Sequence, residues 1–386
     1  MINLKRHTGL LKDNCRHLLA LRVRSEKMDT ILPYSSRFTS QIYTDIAVSK
    51  WNAFVINNDT GYAYLLYEMM LVEEEEGVDN ISFVIIDNIS KEIVLLMPLY
   101  LKKSKSLNSS SSLCYELISR NGIVIKDDLP HKYKQKLSGF FVSYVDGLLE
   151  KYCVKDIFTE TPSLCNYCRP DNHQIPNPLI DFGFSPRIRY TWVVNLNKEE
   201  SRILKDCEET TRQAIRKYID NDEFLFTETN QFTKIQDCMD FIDLSEKTYE
   251  RSSGKAKSRK YYRNIFDNLI PETVRVFFLK SKMNNEPIAT AAILIFGNTA
   301  EYFLAASAQE KPIGINKYLM YKIMIELKRS GIIYFETGGA YPYLRDASKR
   351  KGISDFKKSF GTFLHAIHGG CFYSSKCADG KTLSTE

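Results

Sequence analysis

The chain has 386 residues, 44% of them hydrophobic and 26% charged, with a formal net charge of +6 at pH 7. That length exceeds one ordinary core and suits two domains, and no run of about 18 or more apolar residues offers a membrane-spanning helix. The mild positive charge permits a polyanionic partner without requiring one.

The first 27 residues carry Lys5, Arg6, Lys12, Arg16, Arg22, Arg24 and Lys27 against Asp13 and Glu26. They lack the compact apolar stretch of a signal peptide. Met28 precedes sequence that reads like a natural start, so residues 1–28 are expected to be dispensable and residues 1–39 to form an N-terminal extension. From residue 40 to 190 the pattern is that of an α/β unit. Apolar spacing in Trp51–Ile56 and Tyr62–Met70 predicts short helices. Ile81–Asp87 predicts a strand, with Glu92–Tyr100 returning as its hairpin partner, and the Ser/Lys/Asn tract from Lys102 to Ser112 predicts a surface loop. Lys132–Tyr152 has helical periodicity, and Val154–Thr159 reads as a strand. Among nine scattered cysteines, Cys165-x-x-Cys168 has His173 as a third candidate ligand. No second such pair completes a zinc set, so reduced, partly buried thiols of a cytosolic enzyme are the simpler reading and no metal is expected.

The pattern restarts in a second unit, residues 191–386. Trp192–Leu196 is strand-like, and Glu199–Asp220 predicts one long helix with Ile203, Cys207, Thr211 and Ile215 on one face. Thr233–Glu250 predicts another. Strands follow at Val274–Leu279, Ile288–Phe296 and Ala300–Ala306, with Asn284-Asn285 and Gly297-Asn298 at the turns. A helix over Gly314–Arg329, a strand over Ile332–Glu336, a short helix around Phe356 and a strand over Phe363–Tyr373 complete the chain.

Two segments near the end carry chemistry. Phe335-Glu336-Thr337-Gly338-Gly339 closes a strand with an acidic residue and paired glycines, which let a ligand approach the backbone. Phe356-Lys357-Lys358-Ser359-Phe360-Gly361 then places fixed positive charge beside that opening. Phosphate binding and oxyanion stabilisation both need such an arrangement. The order "[FY]-[DE]-x-G-G … F-K-x-x-F-G" resembles the closing signature of the FemAB-like N-acyltransferases, relatives of the BioF2-like acetyltransferase domain. These tandem-GNAT enzymes acylate an amine from an activated acyl or aminoacyl donor. The element order, weakly repeated in the first half, is similar to theirs. The resemblance implies an α/β fold of two tandem GNAT-like domains, each a mixed, mostly antiparallel sheet flanked by helices. It implies cytoplasmic transfer to an amine of a charged sugar or peptide precursor in cell-envelope or surface-polysaccharide assembly.

By the same resemblance, Lys357 matches the lysine at the acyl-transfer centre and Gly338 and Gly339 line the cleft. Phe356 is expected to pin the backbone beside Lys357. Glu336 is a candidate to accept the amine's proton or hold the amine, and a salt bridge is its alternative. Lys358 contacts phosphate or faces solvent. Arg345, with Lys349, Arg350 and Lys351, forms a basic loop suited to a diphosphate or a nucleic-acid backbone. Arg212 and Arg216 share a helix face and, by resemblance, bind substrate phosphate; intrahelical ion pairs explain them nearly as well. The basic run Arg251–Arg263, interleaved with Tyr249, Tyr261 and Tyr262, suits a charged ligand or a solvated loop. For the donor, Lys311-Pro-Ile-Gly314-Ile-Asn316 stands where acetyl-CoA-dependent relatives have a Gly-rich pyrophosphate loop at a helix N-terminus. Gly314 fits that role and Asn316 crowds it. Acyl-CoA and aminoacyl-tRNA both stay open as co-substrates, although no long heptad pattern supplies the helical hairpin of many tRNA-dependent relatives. The reading from another class is a non-catalytic GNAT-like module that binds nucleic acid or a partner protein through its basic loops.

Overall fold

A computed structural model describes residues 37–74, 78–105, 113–119, 121–172, 176–252, 254–343 and 349–375. The first half contains β1 (Phe38–Ile42), α1 (Val48–Ile56), α2 (Tyr67–Glu73), β2 (Val78–Asn80), β3 (Phe83–Asp87), β4 (Ile93–Met97), β5 (Tyr100–Lys105), β6 (Leu113–Ile118), β7 (Val124–Ile125), α3 (His131–Tyr152) and β8 (Asp156–Glu160). Two antiparallel sheets form, in the orders β1-β3-β4-β7 and β2-β5-β6. Strands β3 and β4 read as unbroken apolar runs because both faces are covered. Phe83 and Ile85 pack with Leu137, Phe141 and Val145 of α3, while Val84 joins the cluster of Trp51 and Met69 from α1 and α2.

The second half contains β9 (Ser185–Asn195), α4 (Glu200–Asp206), α5 (Glu209–Ile219), β10 (Phe224–Glu228), α6 (Lys234–Arg251), α7 (Arg259–Asn268), β11 (Val274–Ser281), β12 (Pro287–Phe296), β13 (Thr299–Ser307), α8 (Ile315–Arg329), β14 (Tyr334–Gly339), α9 (Lys349–Lys358) and β15 (Phe363–Tyr373). Its sheet has the order β10-β11-β12-β13-β14-β9-β15-β8. The β13–β14 pair is parallel and the other pairs are antiparallel. On one face, Phe277, Ala291 and Phe335 pack with Ile215 of α5 and Met320 and Ile323 of α8. On the other, Phe278 and Leu294 meet Phe241 of α6 and Phe266 of α7, in a core shared with Trp51 and Met69. One apolar core therefore joins the two halves.

Several boundaries differ from the sequence expectation. The first strand starts at Phe38, inside the expected extension, where Phe38 is buried and Arg37 pairs with Asp87. The expected division at residue 190 falls within the continuous strand β9, and β8 joins the large sheet. The single helix expected over 199–220 is two. Cys207 and Glu208 are extended, and the Glu208 N–H donates to the Ser359 carbonyl at 2.9 Å instead of continuing a helix. Ile203, Cys207, Thr211 and Ile215 are nonetheless all buried. The basic run after Arg251 contains α7, started by Ser258, whose Oγ accepts the Tyr261 N–H. Residues 1–36, the tract 106–112, His173, Arg345 with the loop 344–348, and the side chain of Lys349 lie outside the described residues.

Candidate active site

The β13–β14 ladder is short: Thr299, Ala300 and Glu301 register with Tyr334, Phe335 and Glu336, and it ends there. Beyond that rung β13 continues against β12 and β14 against β9, so the sheet opens between them. The last rung is a pair of glutamates. Side chains alternate along a strand, and Phe335 faces the α8 core. Glu301 and Glu336 therefore both project to the opposite face, toward the first half.

Glu336 is buried, 6% exposed. The hydroxyl of Thr191 on β9 donates to its Oε1 at 2.6 Å, and that of Ser163, from the loop after β8, donates to its Oε2. A bulge follows, where Gly338 instead of Thr337 registers with Trp192. Bulges re-aim a strand locally. Gly338 has φ +99°, and a Cβ there would collide with the Nζ of Lys357. A Cβ on Gly339 would make only ordinary contacts with Tyr341.

Lys357 lies in the last turn of α9, which is fixed at Ser354. The Trp192 indole N–H donates to Ser354 Oγ at 2.9 Å, and that oxygen also accepts the Tyr341 N–H. Phe356 packs edge-on against Phe360, with ring centroids 5.2 Å apart, and supports the same turn. Burial lowers the Lys357 pKa from its ordinary value, while the charges of Glu336 and Glu301 oppose that shift. Lys358, one residue on, is exposed.

Glu301, Tyr64, Thr191 and Ser163 were absent from the sequence-based site. The Tyr64 hydroxyl donates to Glu301 Oε1 at 2.7 Å, bringing a first-half residue to the second-half rung. Burial first, and then the charge of Glu336, push the Glu301 pKa well above the ordinary carboxylate range, against the Tyr64 bond and Lys357. The Tyr64 hydroxyl and the neighbouring Tyr62 are likewise pushed up, chiefly by burial. A lone carboxylate within the apolar run Ala300–Ala306 was the available signal, but its partner is revealed only by strand register.

The other expected residues are placed elsewhere. Arg212 donates to the carbonyls of Lys205 and Cys207, each at 2.8 Å, capping α4, and pairs with Glu209. Arg216 is exposed one turn along α5. Gly314 caps α8 at φ +88°, and a Cβ there would stand 2.9 Å from the Ala214 Cβ, so the glycine lets α5 approach α8. In the first turn of α8, the Ile315 N–H bonds Pro312 O and the Lys317 N–H bonds Gly314 O. The Asn316 Oδ1 is buried and has no hydrogen-bond partner among the described residues. Cys165 and Cys168 are buried free thiols in one turn. Among the described residues no group of three or more His, Cys, Asp or Glu side chains is placed to hold a metal ion, and no helix is long and apolar enough to cross a membrane.

The split between the two strands is thus closed by the buried Glu336, the half-buried Glu301 and the half-buried Lys357. Residues 205–358, which include Glu301, Glu336, Gly338 and Lys357, match the model of the acetyltransferase (GNAT) domain family. Among solved structures, the chain is similar to FemX, with TM-score 0.61 and 15% identity over 86% of this chain and 96% of that one. It is also similar to the C-terminal domain of an Agrobacterium fabrum protein described as a lysylphosphatidylglycerol synthetase (TM-score 0.53, 13% identity, 86% and 92% covered). A third is a tandem GNAT protein from the clavulanic acid biosynthesis pathway (TM-score 0.50, 11% identity, 89% and 99% covered). At these identities the likeness is one of fold. No curated protein matches the chain by sequence.

Proposed function

We propose that this chain is an N-acyltransferase that moves an acyl or aminoacyl group from an activated donor to an amine of a charged sugar or peptide precursor. The observation that carries this reading is Lys357, half-buried over Gly338 beside the Glu301–Glu336 rung where the sheet opens. Acyl transfer to nitrogen builds negative charge on the carbonyl oxygen, and a fixed cation out of bulk water stabilises that charge far better than one in solvent. Lys357 has this role. Gly338 keeps the space into which its Nζ projects. Glu336, held by Thr191 and Ser163, supplies fixed negative charge that orients the ammonium and Lys357. Arg216 and the 345–351 segment are the candidates to meet a charged acceptor.

The donor is an acyl-CoA or an aminoacyl-tRNA. One neighbour, the tandem GNAT protein, was solved without AcCoA, and another is described as a lysylphosphatidylglycerol synthetase. Cytoplasmic transfer to an envelope or surface-polysaccharide precursor is the proposed setting. Thermal unfolding with acetyl-CoA, free CoA and bulk aminoacylated tRNA tests the reading. A ligand at about 100 times its Kd adds roughly 2.7 kcal/mol to the folded state. Stabilisation by one donor class assigns the co-substrate. A flat response to all of them, with salt-sensitive binding to deacylated RNA, would instead support the non-catalytic module.

A further inference from the structure

A cavity of about 340 Å³ lies in the first half of the chain, and none of its lining residues belongs to the cleft. Cavities of that size accommodate small molecules. Three chain segments each bring one lysine to it: Lys50 from α1, Lys91 from the turn between β3 and β4, and Lys126 just after β7. Among the described residues Glu92 is the one acidic side chain of the lining, and it pairs with Lys126. Lys50 and Lys91 are exposed, and neither pairs with a carboxylate among the described residues. The half-buried Phe54 of α1 supplies an apolar wall that is backed by the core.

The lining is held in place from several sides. The Asn58 Nδ2 donates to the Phe54 carbonyl at 2.6 Å and closes the end of α1. Its Oδ1 accepts the Asp127 N–H at 2.9 Å, tying α1 to the segment that carries Lys126. The Lys126 N–H donates to the Val94 carbonyl of β4 at 3.1 Å. Lys91 adds an independent observation. Its φ is +61°, in the left-handed region that glycine adopts freely and that a residue with a Cβ occupies at a cost. Backbone strain of this kind clusters where a side chain has a task. Here it brings an unpaired ammonium to the cavity.

We propose that this cavity binds a phosphate monoester, with the phosphate among Lys50, Lys91 and Lys126 and the body it carries along Phe54. The site stands apart from the cleft and does not rest on the acyl-transfer reading. A phosphate monoester has a charge of about −1.5 to −2 near pH 7 and three acceptor oxygens. Three ammonium groups offset by one carboxylate match that charge, and each oxygen can meet a different lysine. Lysine serves phosphate as a point charge and needs no fixed bidentate geometry. Glu92 competes with the ligand for Lys126, so binding exchanges one ion pair for another. The terminal phosphate of a soluble nucleotide and the headgroup of a lipid share this chemistry.

Titration calorimetry of the full chain with ADP, and co-sedimentation with phosphatidylcholine vesicles containing phosphatidic acid, test the site and distinguish the two sources. Saturable binding of at least one probe is expected. ADP binding marks a soluble ligand, and binding to the vesicles alone marks a headgroup. K50A and K91G should each weaken binding about 10–100-fold, the equivalent of one charged hydrogen bond. E92Q should tighten it, because Lys126 is then free for the phosphate. Glycine relieves the backbone at position 91, so K91G should melt no lower than wild type without ligand, which separates lost binding from lost folding. Silence from both probes overturns the proposal. Binding that K50A and K91G leave unchanged belongs elsewhere on the chain and overturns it too, as does weaker binding by E92Q.

Discussion

The Nζ of Lys357 occupies the space that a Cβ on Gly338 would need, and Gly338 has φ +99°. The lysine's position thus depends on the absence of a side chain on a neighbouring strand, at the bulge that re-aims that strand. Gly338→Ala should displace the ammonium and lower transfer about 10²–10³-fold, as Lys357→Ala should, the usual effect of losing one oxyanion donor. The double variant should be no slower than either single one, because both remove one interaction. Turnover of the three variants checks this, and additive losses would separate the two residues.

Arg212 and Arg216 lie on one helix but have different surroundings. Arg212 caps α4 through two carbonyls and pairs with Glu209. Arg212→Ala should reduce stability by about 1–3 kcal/mol, the range for losing charged hydrogen bonds. Arg216→Ala should leave stability within about 0.5 kcal/mol, as at an ordinary surface site. If Arg216 contacts substrate, its variant instead raises KM. Urea unfolding and steady-state kinetics on the pair separate the roles; an Arg212 variant with unchanged stability would refute the capping function.

Lys280 and Asp237 form a buried ion pair at 2.8 Å, with side chains 10% and 3% exposed. Phe278 lies under the ammonium. Asp240 of α6 stands 3.7 Å from the same ammonium as a second partner, so only the loss of both carboxylates strands the charge. The double variant Asp237→Ala, Asp240→Ala should therefore reduce stability by about 3–5 kcal/mol. Chemical denaturation gives the value, and a loss below about 1 kcal/mol would show that water reaches the lysine.

The raised pKa of Glu301 gives stability a defined pH dependence. Between the unfolded carboxylate value near pH 4.3 and its folded value, the native state binds the extra proton. Its contribution is thus full below about pH 4.3 and is lost as pH rises through the folded value. Glu301→Gln removes this dependence, so its melting temperature should gain on wild type as pH rises from about 4 to 7. Lys357, with a lowered pKa, acts in the alkaline range. There the unfolded chain binds the extra proton, and stability rises with pH through the folded value toward about 10.4. Melting curves of wild type and Glu301→Gln across pH check the carboxyl, and a constant offset would show it titrating normally.

The acid range supplies a contrasting case. Burial raises the Asp87 pKa, but the Tyr133 hydroxyl, the Ile89 N–H and Arg37 outweigh it and hold the carboxyl down to about 2. Its contribution is present above about pH 3.9 and lost as pH falls through the folded value. Asp87→Asn should flatten the acid limb of the melting curve while leaving neutral-pH donor binding intact. An unchanged acid limb would place the sensitive carboxylate elsewhere.

Local pattern alone located the last strand, Phe363–Tyr373, and nearly all of α3, because side-chain periodicity repeats within a few residues. It also marked Ile203, Cys207, Thr211 and Ile215 as one buried face while missing the break between them, since the break follows from a hydrogen bond to Ser359, far along the chain. At the cleft, the motif pointed to Glu336, Gly338 and Lys357 by residue type and order. Tertiary structure decided that Glu301 stands beside Glu336, that Tyr64 reaches it, and that Gly338 makes room for Lys357. Propensity and periodicity act along the chain. The register of β13 against β14, separated by α8, is set by packing across the whole sheet, and only that register brings two distant carboxylates to the same rung.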